Sequence, residues 1–251
     1  FRRVLFRSPT MNIACLLRAC HALAFALLGG WAVSAQAASI AVSPLRLDIK
    51  PGQQMTALTV SNTGQTPVLV QGQIKAWLDS DQPEAAVSSG GMMLTPPLFK
   101  LAPGGKQLVR IGWQQQTATP AHELAFRVFL QEVPTTSETA TGLRVALRLS
   151  VPLFAQPAST EVRALDWQWQ SASAGSTLQL HNNGNRHERI SRLKVTDAKQ
   201  RVLLDGPRLL YVLPGQTHSL SLPDRDVSLP LSIDTTSDQG TEQHTLTQPT
   251  S

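Results

Sequence analysis

From Leu143 to Leu153 every second residue is apolar: Leu143, Val145, Leu147, Leu149, Val151 and Leu153. Arg144, Ala146, Arg148, Ser150 and Pro152 fall between them, and Phe154 follows. Successive side chains on a β-strand point to opposite faces, so this spacing predicts a strand over Gly142–Phe154 with one apolar face. Pro152 brings no backbone donor, and within a sheet proline is confined to an edge, a strand end or a bulge. Two readings fit. The apolar row faces the core of its own sandwich, which is the simpler reading on periodicity alone. Otherwise it lies on an open edge, where unpaired backbone groups and apolar side chains can complete a partner's sheet by strand addition.

The rest of the chain carries the same period in shorter runs. Candidate strands are Ile40–Ile49, Met55–Ser61, Val68–Leu78, Leu98–Leu101, Lys106–Gly112 and Leu124–Glu132. The segments between them, SNTGQTP, DSDQPE, SSGG and LAPGG, have the composition of turns. With Gly142–Phe154 these make seven strands, which suits one immunoglobulin-like sandwich over 38–157. After QPAST a second strand-rich region runs over 158–234: Val162–Gln170, Thr177–Asn182, Ile190–Asp197, Val202–Leu204, Leu209–Val212 and His218–Leu222. No internal repeat stands out. Trp167 and Trp169, alternating on one strand, are expected in the core of this second domain. Residues 235–251, TTSDQGTEQHTLTQPTS, show no apolar period and read as a disordered tail.

The amino-terminal part has a different character. Residues 1–10 precede Met11 and read as an upstream extension. Arg18, the apolar run HALAFALLGGWAV and the small residues of Ala35-Gln36-Ala37 form a secretory signal over 11–37, with cleavage expected after Ala37. The apolar run is short for a bilayer span, so no stable membrane insertion is expected. Residues 1–37 hold four arginines and no acidic residue, so without them the formal charge falls from +5 to +1. The basic balance therefore does not point to nucleic acid. Both cysteines, Cys15 and Cys20, leave with the same segment, which rules out disulfides, thiolate metal sites and cysteine nucleophiles in the remainder.

Motifs for catalysis are lacking. There is no G-x-S-x-G, no H-E-x-x-H and no glycine-rich phosphate loop. His181 and His187 flank an Asn-Gly turn without an evident third ligand and read as loop histidines. No metal, cofactor or enzymatic step is expected.

Several stretches, taken in order, resemble the periplasmic chaperones of the chaperone–usher pathway: SPLRLDI, LTVSNTGQTPVLVQ, LTPPLFKLAPGGKQLVRIG, ELAFRVFLQEVP, LRVALRLSVPLF, HNNGNRHERI and YVLPGQT. The likeness runs from Ser39 to about Leu222. The short connection Thr135–Gly142 and the ending VPLFAQP are closer to the archaic branch. The resemblance implies two immunoglobulin-like domains set in an L. It implies a periplasmic location, a pilus subunit lacking one strand as partner, and delivery to an outer-membrane usher. The alternative is a structural pilin-like or adhesin-like module of a surface appendage; such a module would be expected to carry an amino-terminal donor extension and often a cysteine pair, whereas ASIAVSPLRLDI leads directly into a predicted strand. The resemblance turns the opening pair of readings around: Leu143, Val145, Leu147, Leu149 and, at its end, Val151 become the ribbon lent to the subunit.

The same resemblance implies two cleft cations for the subunit's terminal carboxylate, since a buried carboxylate needs paired, hydrogen-bonding partners. Arg46, in SPLRLDI, matches the first. Pro152 occupies the position where a lysine is usual, leaving Arg148 or Arg110 as candidates for the second. Glu123 matches a family acid that pairs with an arginine at the end of the donor strand. Gln156 stands at that arginine's position, so the interdomain ion pair is expected to be absent or rebuilt.

Overall fold

The computed structural model describes residues 40–78, 91–115, 119–134, 146–172, 175–222 and 227–248. The extension 1–10, the signal 11–37, Leu143 and Val145 lie outside the described residues. Ala38–Ser251 forms one compact unit. In it, sixteen strands and no helix among the described residues build two sandwiches, in line with the all-β expectation.

In the first sandwich one sheet has the order β1-β3-β7-β5 (Ile40–Ser43, Met55–Asn62, Lys106–Trp113, Met92–Thr95). The facing sheet has the order β2-β9-β8-β4-β6 (Leu47–Ile49, Arg148–Ala155, Leu124–Val133, Val68–Ala76, Leu98–Leu101). Alternate residues meet in the core, among them Leu58 and Val60 of β3, Val109 and Ile111 of β7, and Val128 and Leu130 of β8. β8 is buried on both faces: Phe126, Val128 and Leu130 fill this core, while Ala125 and Phe129 are buried on the other side. At its Ala125–Arg127 end that second face lies against Tyr211 and Leu213 of the other sandwich.

The second sandwich pairs the sheet β10-β11-β14 (Leu165–Ala172, Gly175–Asn182, Thr217–Leu222) with the sheet β13-β12-β15-β16 (Val202–Val212, Glu188–Thr196, Leu231–Ser237, Gly240–Leu246). Trp167 and Trp169 pack in its core with Leu178, Leu180 and Ile190, as expected.

Each sandwich is closed by the same polar corner. Asn62 Nδ2 donates to the Thr66 carbonyl at 2.8 Å and to Leu101 O at 3.2 Å, while its Oδ1 accepts from Gly64 N at 2.9 Å. Asn182 Nδ2 donates to Arg186 O and to Val212 O, both at 2.8 Å, and its Oδ1 accepts from Gly184 N at 2.8 Å. The PG turn of LAPGG and that of LPGQ then pair with these asparagines through the backbone. Because Asn182 is buried, truncation strands a buried carbonyl and an amide. Asn182→Ala is expected to lower stability by about 2 kcal/mol in equilibrium denaturation, and an unchanged midpoint would show the corner to be dispensable.

The sequence-based boundaries need several corrections. Ile40–Ile49 is two strands in opposite sheets, because Pro44 cannot donate and the chain crosses between sheets over Pro44–Arg46. Met92–Thr95 forms β5, which was not expected. Val202–Leu204 and Leu209–Val212 are one strand, β13. Its Gly206-Pro207 pair is tolerated because β13 is an edge strand and β12 shifts register opposite it. The largest correction is the tail. Residues 231–246 form the hairpin β15–β16 in register Leu231↔Leu246 to Ser237↔Gly240, so the second domain extends well past 234. Leu231, Ile233 and Thr235 are buried, whereas β16 is a polar edge strand and carries no apolar row to betray it.

Candidate functional site

β9 is held unequally along its length. On one side it pairs with β8 from Arg148 to Ala155. On the other, β2 covers it only at Leu153–Ala155, in parallel register. Over Arg148–Pro152 the second side carries no strand among the described residues. The apolar row changes character at the same place. Leu153 (0% exposed) and Val151 (2%) belong to their own core, while Leu147 and Leu149 are half-buried against its margin. Val151, expected as the end of a lent ribbon, therefore lies inside its own domain. Leu143 and Val145 lie outside the described residues.

Beside this edge opens a cleft of about 1040 Å3, between the first sandwich and strands β12 and β13 of the second. Leu149, Ser150, Val151 and Pro152 form one wall, and Leu45 and Leu209 stand on the rims at 75% and 71% exposure. Arg46, Arg127, Arg189 and Arg208 line it, with Asp238 as the acidic residue among its lining. Arg46 lies on the crossing between β1 and β2. Its Nε and Nη2 donate to the Asp48 carboxylate at 3.2 and 3.3 Å, and its Nη1 to Asp238 Oδ2 at 3.5 Å.

The other two cations expected beside Arg46 do not line this cleft. Arg110 is on β7, in the opposite sheet, paired across to Ala57 and Thr95. The Arg148 guanidinium lies over the Phe129 ring at 4.2 Å. Arg127 is there instead, directly across the β8–β9 ladder from Pro152. Its guanidinium carbon is 3.6 Å from the Trp77 ring centroid and 5.8 Å from that of Tyr211. Its Nε is buried without a hydrogen-bond partner. Burial pulls its pKa below the ordinary arginine value, against an opposing electrostatic pull from Tyr211. A half-buried guanidinium on the wall of a cleft is suited to pair with an anion that enters it. The signal was present in the sequence: Arg127 stands among Ala125, Phe126, Val128 and Phe129, where a solvated face would carry more polar neighbours.

Between the sandwiches lies a small apolar cluster of Trp77, Ala125, Phe154 and Leu213, with Tyr211 against it. Glu123 is 5% exposed there. Its Oε1 accepts from the His187 backbone N at 3.0 Å and from His187 Nδ1 at 2.6 Å. The His187 ring stacks on Phe154 with centroids 3.7 Å apart at 12°. His187, expected to be an ordinary loop histidine, is thus the partner of Glu123 across the two sandwiches. Gln156 donates to Asp48 at 3.2 Å instead. His181 remains local, bonded to Thr217 Oγ1 at 2.8 Å.

A family model described as "Pili and flagellar-assembly chaperone, PapD N-terminal domain" matches residues 39–161. Chaperone protein PapD of Escherichia coli is 30% identical over 142 residues, 55% of this chain, and the match spans 57% of that relative's length. Chaperone protein FimB/FhaD of Bordetella pertussis is 30% identical over 187 residues, covering 69% of this chain and 74% of the relative. Among solved structures, a chain of the CsuC–CsuE chaperone–tip adhesion subunit pre-assembly complex, from archaic chaperone-usher Csu pili of Acinetobacter baumannii, superposes with a TM-score of 0.61. It is 23% identical, with 83% of this chain and 97% of that chain covered, and so speaks for the fold. The continuous match through the first sandwich, extended into the second by the Bordetella relative, makes this chain a member of the PapD-type family of pilus-assembly chaperones.

Proposed function

We propose that this chain is a periplasmic, non-enzymatic chaperone that binds a pilus subunit lacking one strand, completes its sandwich and passes it to an outer-membrane usher. The observation that carries this reading is the uncovered edge of β9, where Leu147 and Leu149 are half-buried and no second strand lies beside Arg148–Pro152 among the described residues. Leu143, Val145, Leu147 and Leu149 form the lent ribbon, and Val151 stays in the home core. The subunit's terminal carboxylate enters the neighbouring cleft and is held by Arg46 and Arg127. Arg127 takes the role that Pro152 cannot fill, and neither Arg110 nor Arg148 lines the cleft. Release needs no nucleotide, because a second subunit's strand can replace β9 by exchange.

Co-expression with its cognate pilin is expected to yield a one-to-one complex from the periplasm. A charge-assisted hydrogen bond contributes roughly 1.5–3 kcal/mol, so Arg46→Ala and Arg127→Met should each weaken that complex by about tenfold or more without unfolding the chaperone. Methionine keeps apolar contact with Trp77 while removing the charge. Unchanged dissociation constants for both variants would place the carboxylate elsewhere, and failure to form any complex would remove the chaperone reading itself.

A further inference from the structure

Arg46 is already carrying a carboxylate that belongs to the other sandwich. Asp238 sits at the tip of the β15–β16 hairpin and accepts from Arg46 Nη1 at 3.5 Å. Its other oxygen accepts from Arg189 Nη1. A single side chain therefore bridges two of the cleft's guanidiniums from opposite domains. Asp48, the second carboxylate on Arg46, is fixed differently: it lies on β2 and also accepts from Gln156. Asp238 lies on a turn and is 36% exposed, against 40% for Arg46. An exposed pair of this kind is weak and readily exchanged.

We propose that Asp238 is an internal stand-in for the ligand's carboxylate: it occupies Arg46 and Arg189 in the free chain and is displaced when a chain terminus enters the cleft. This rests on the reading of the cleft given above. The consequence is a selectivity device. An incoming group must be negatively charged to replace Asp238, because a neutral amide cannot answer Arg189 and the Nη1 of Arg46, which would lose the carboxylate they share while Arg46 keeps Asp48. The apolar rims Leu45 and Leu209 complete the match to a terminal segment whose last side chains are apolar and whose end is a free acid. Meanwhile the stand-in keeps the cleft's positive charge from holding unrelated anions.

The test uses the full chaperone and a synthetic peptide copying the last twenty or so residues of the co-purified subunit, made as the free acid and as the carboxamide. Isothermal titration at low salt compares wild type with Asp238→Asn. The free acid is expected to bind the variant about threefold more tightly, the range of an exposed ion pair, while the affinity for the amide stays the same. Asp238→Ser should reproduce the gain, which separates it from a particular effect of asparagine, and thermal melts should show both variants folded. Equal or weaker binding of the acid by the variants would overturn the stand-in while leaving the cleft as the anchor. If acid and amide bind wild type alike, or neither binds, the carboxylate reading of the cleft falls, and the stand-in falls with it.

Discussion

Leu147→Asp is expected to weaken the complex with a pilus subunit at least a hundredfold while the chaperone itself remains folded. Leu147 is half-buried at the margin of its own core. Filling a partner's groove would bury the remainder, and a fully buried leucine contributes about 1.5–3 kcal/mol. Aspartate forfeits that gain and brings a charge that the groove cannot solvate, which adds a larger penalty. Together these exceed the 2.7 kcal/mol or so that corresponds to a hundredfold change. Glu132 lies close, its Oε2 3.4 Å from the Leu147 amide, so aspartate also meets a like charge at home. Leu147→Asn controls for that repulsion and should lose most of the binding as well. Val151→Asp supplies the contrast. At 2% exposure in the home core it is expected to unfold the first sandwich, not merely to release the subunit. Pull-down of the subunit together with circular dichroism of each variant separates the outcomes. Wild-type binding by folded Leu147→Asp would remove Leu147 from the ribbon.

The same contrast explains what the sequence could convey. Periodicity identified β9 and the apolar row, because a period of two records which face is apolar. It could not say where the home core ends and the open edge begins. That limit is set by β2, a strand of three residues that runs parallel to β9 and lies about a hundred residues earlier in the chain. Strands with one polar face were legible, β3 and β7 among them. β16 was not, since an edge strand with little to bury has the composition of a tail. Arg46 could be found from its motif, whereas Arg127 depended on β8 being buried on both faces, which follows from a second sandwich packing on it. Asp238 escaped notice because it belonged to the segment read as disordered. The pairing of Glu123 with His187 was equally hidden: they are 64 residues apart and meet only across the two sandwiches. Local periodicity carries no information about such a meeting.

That meeting leads to the second large effect, on the junction itself. Glu123→Ala leaves two buried His187 donors, the backbone N–H and Nδ1–H, without their acceptor. Each unsatisfied buried donor costs roughly 1–3 kcal/mol, so a loss of about 3 kcal/mol in the stability of the junction is expected. His187→Phe keeps an aromatic ring against Phe154 but leaves the Glu123 carboxylate, in a site that is 5% exposed, with the residue-187 backbone N–H in place of two His187 donors, and should cost about as much. Removing both polar partners is a different matter. Glu123→Leu with His187→Phe leaves no unpaired charge and adds apolar contact to the Trp77, Phe154 and Leu213 cluster. Replacing a buried polar pair by hydrophobic groups of similar size is often close to neutral, so the double variant should recover the side-chain part of the loss and keep only that of the residue-187 N–H, with a coupling of about 2 kcal/mol between the positions. Denaturant unfolding followed by near-ultraviolet circular dichroism reports on this junction through Trp77 and Tyr211. Additive losses in the cycle would show that Glu123 and His187 do not act as a pair, and that packing around Phe154 holds this part of the junction without them.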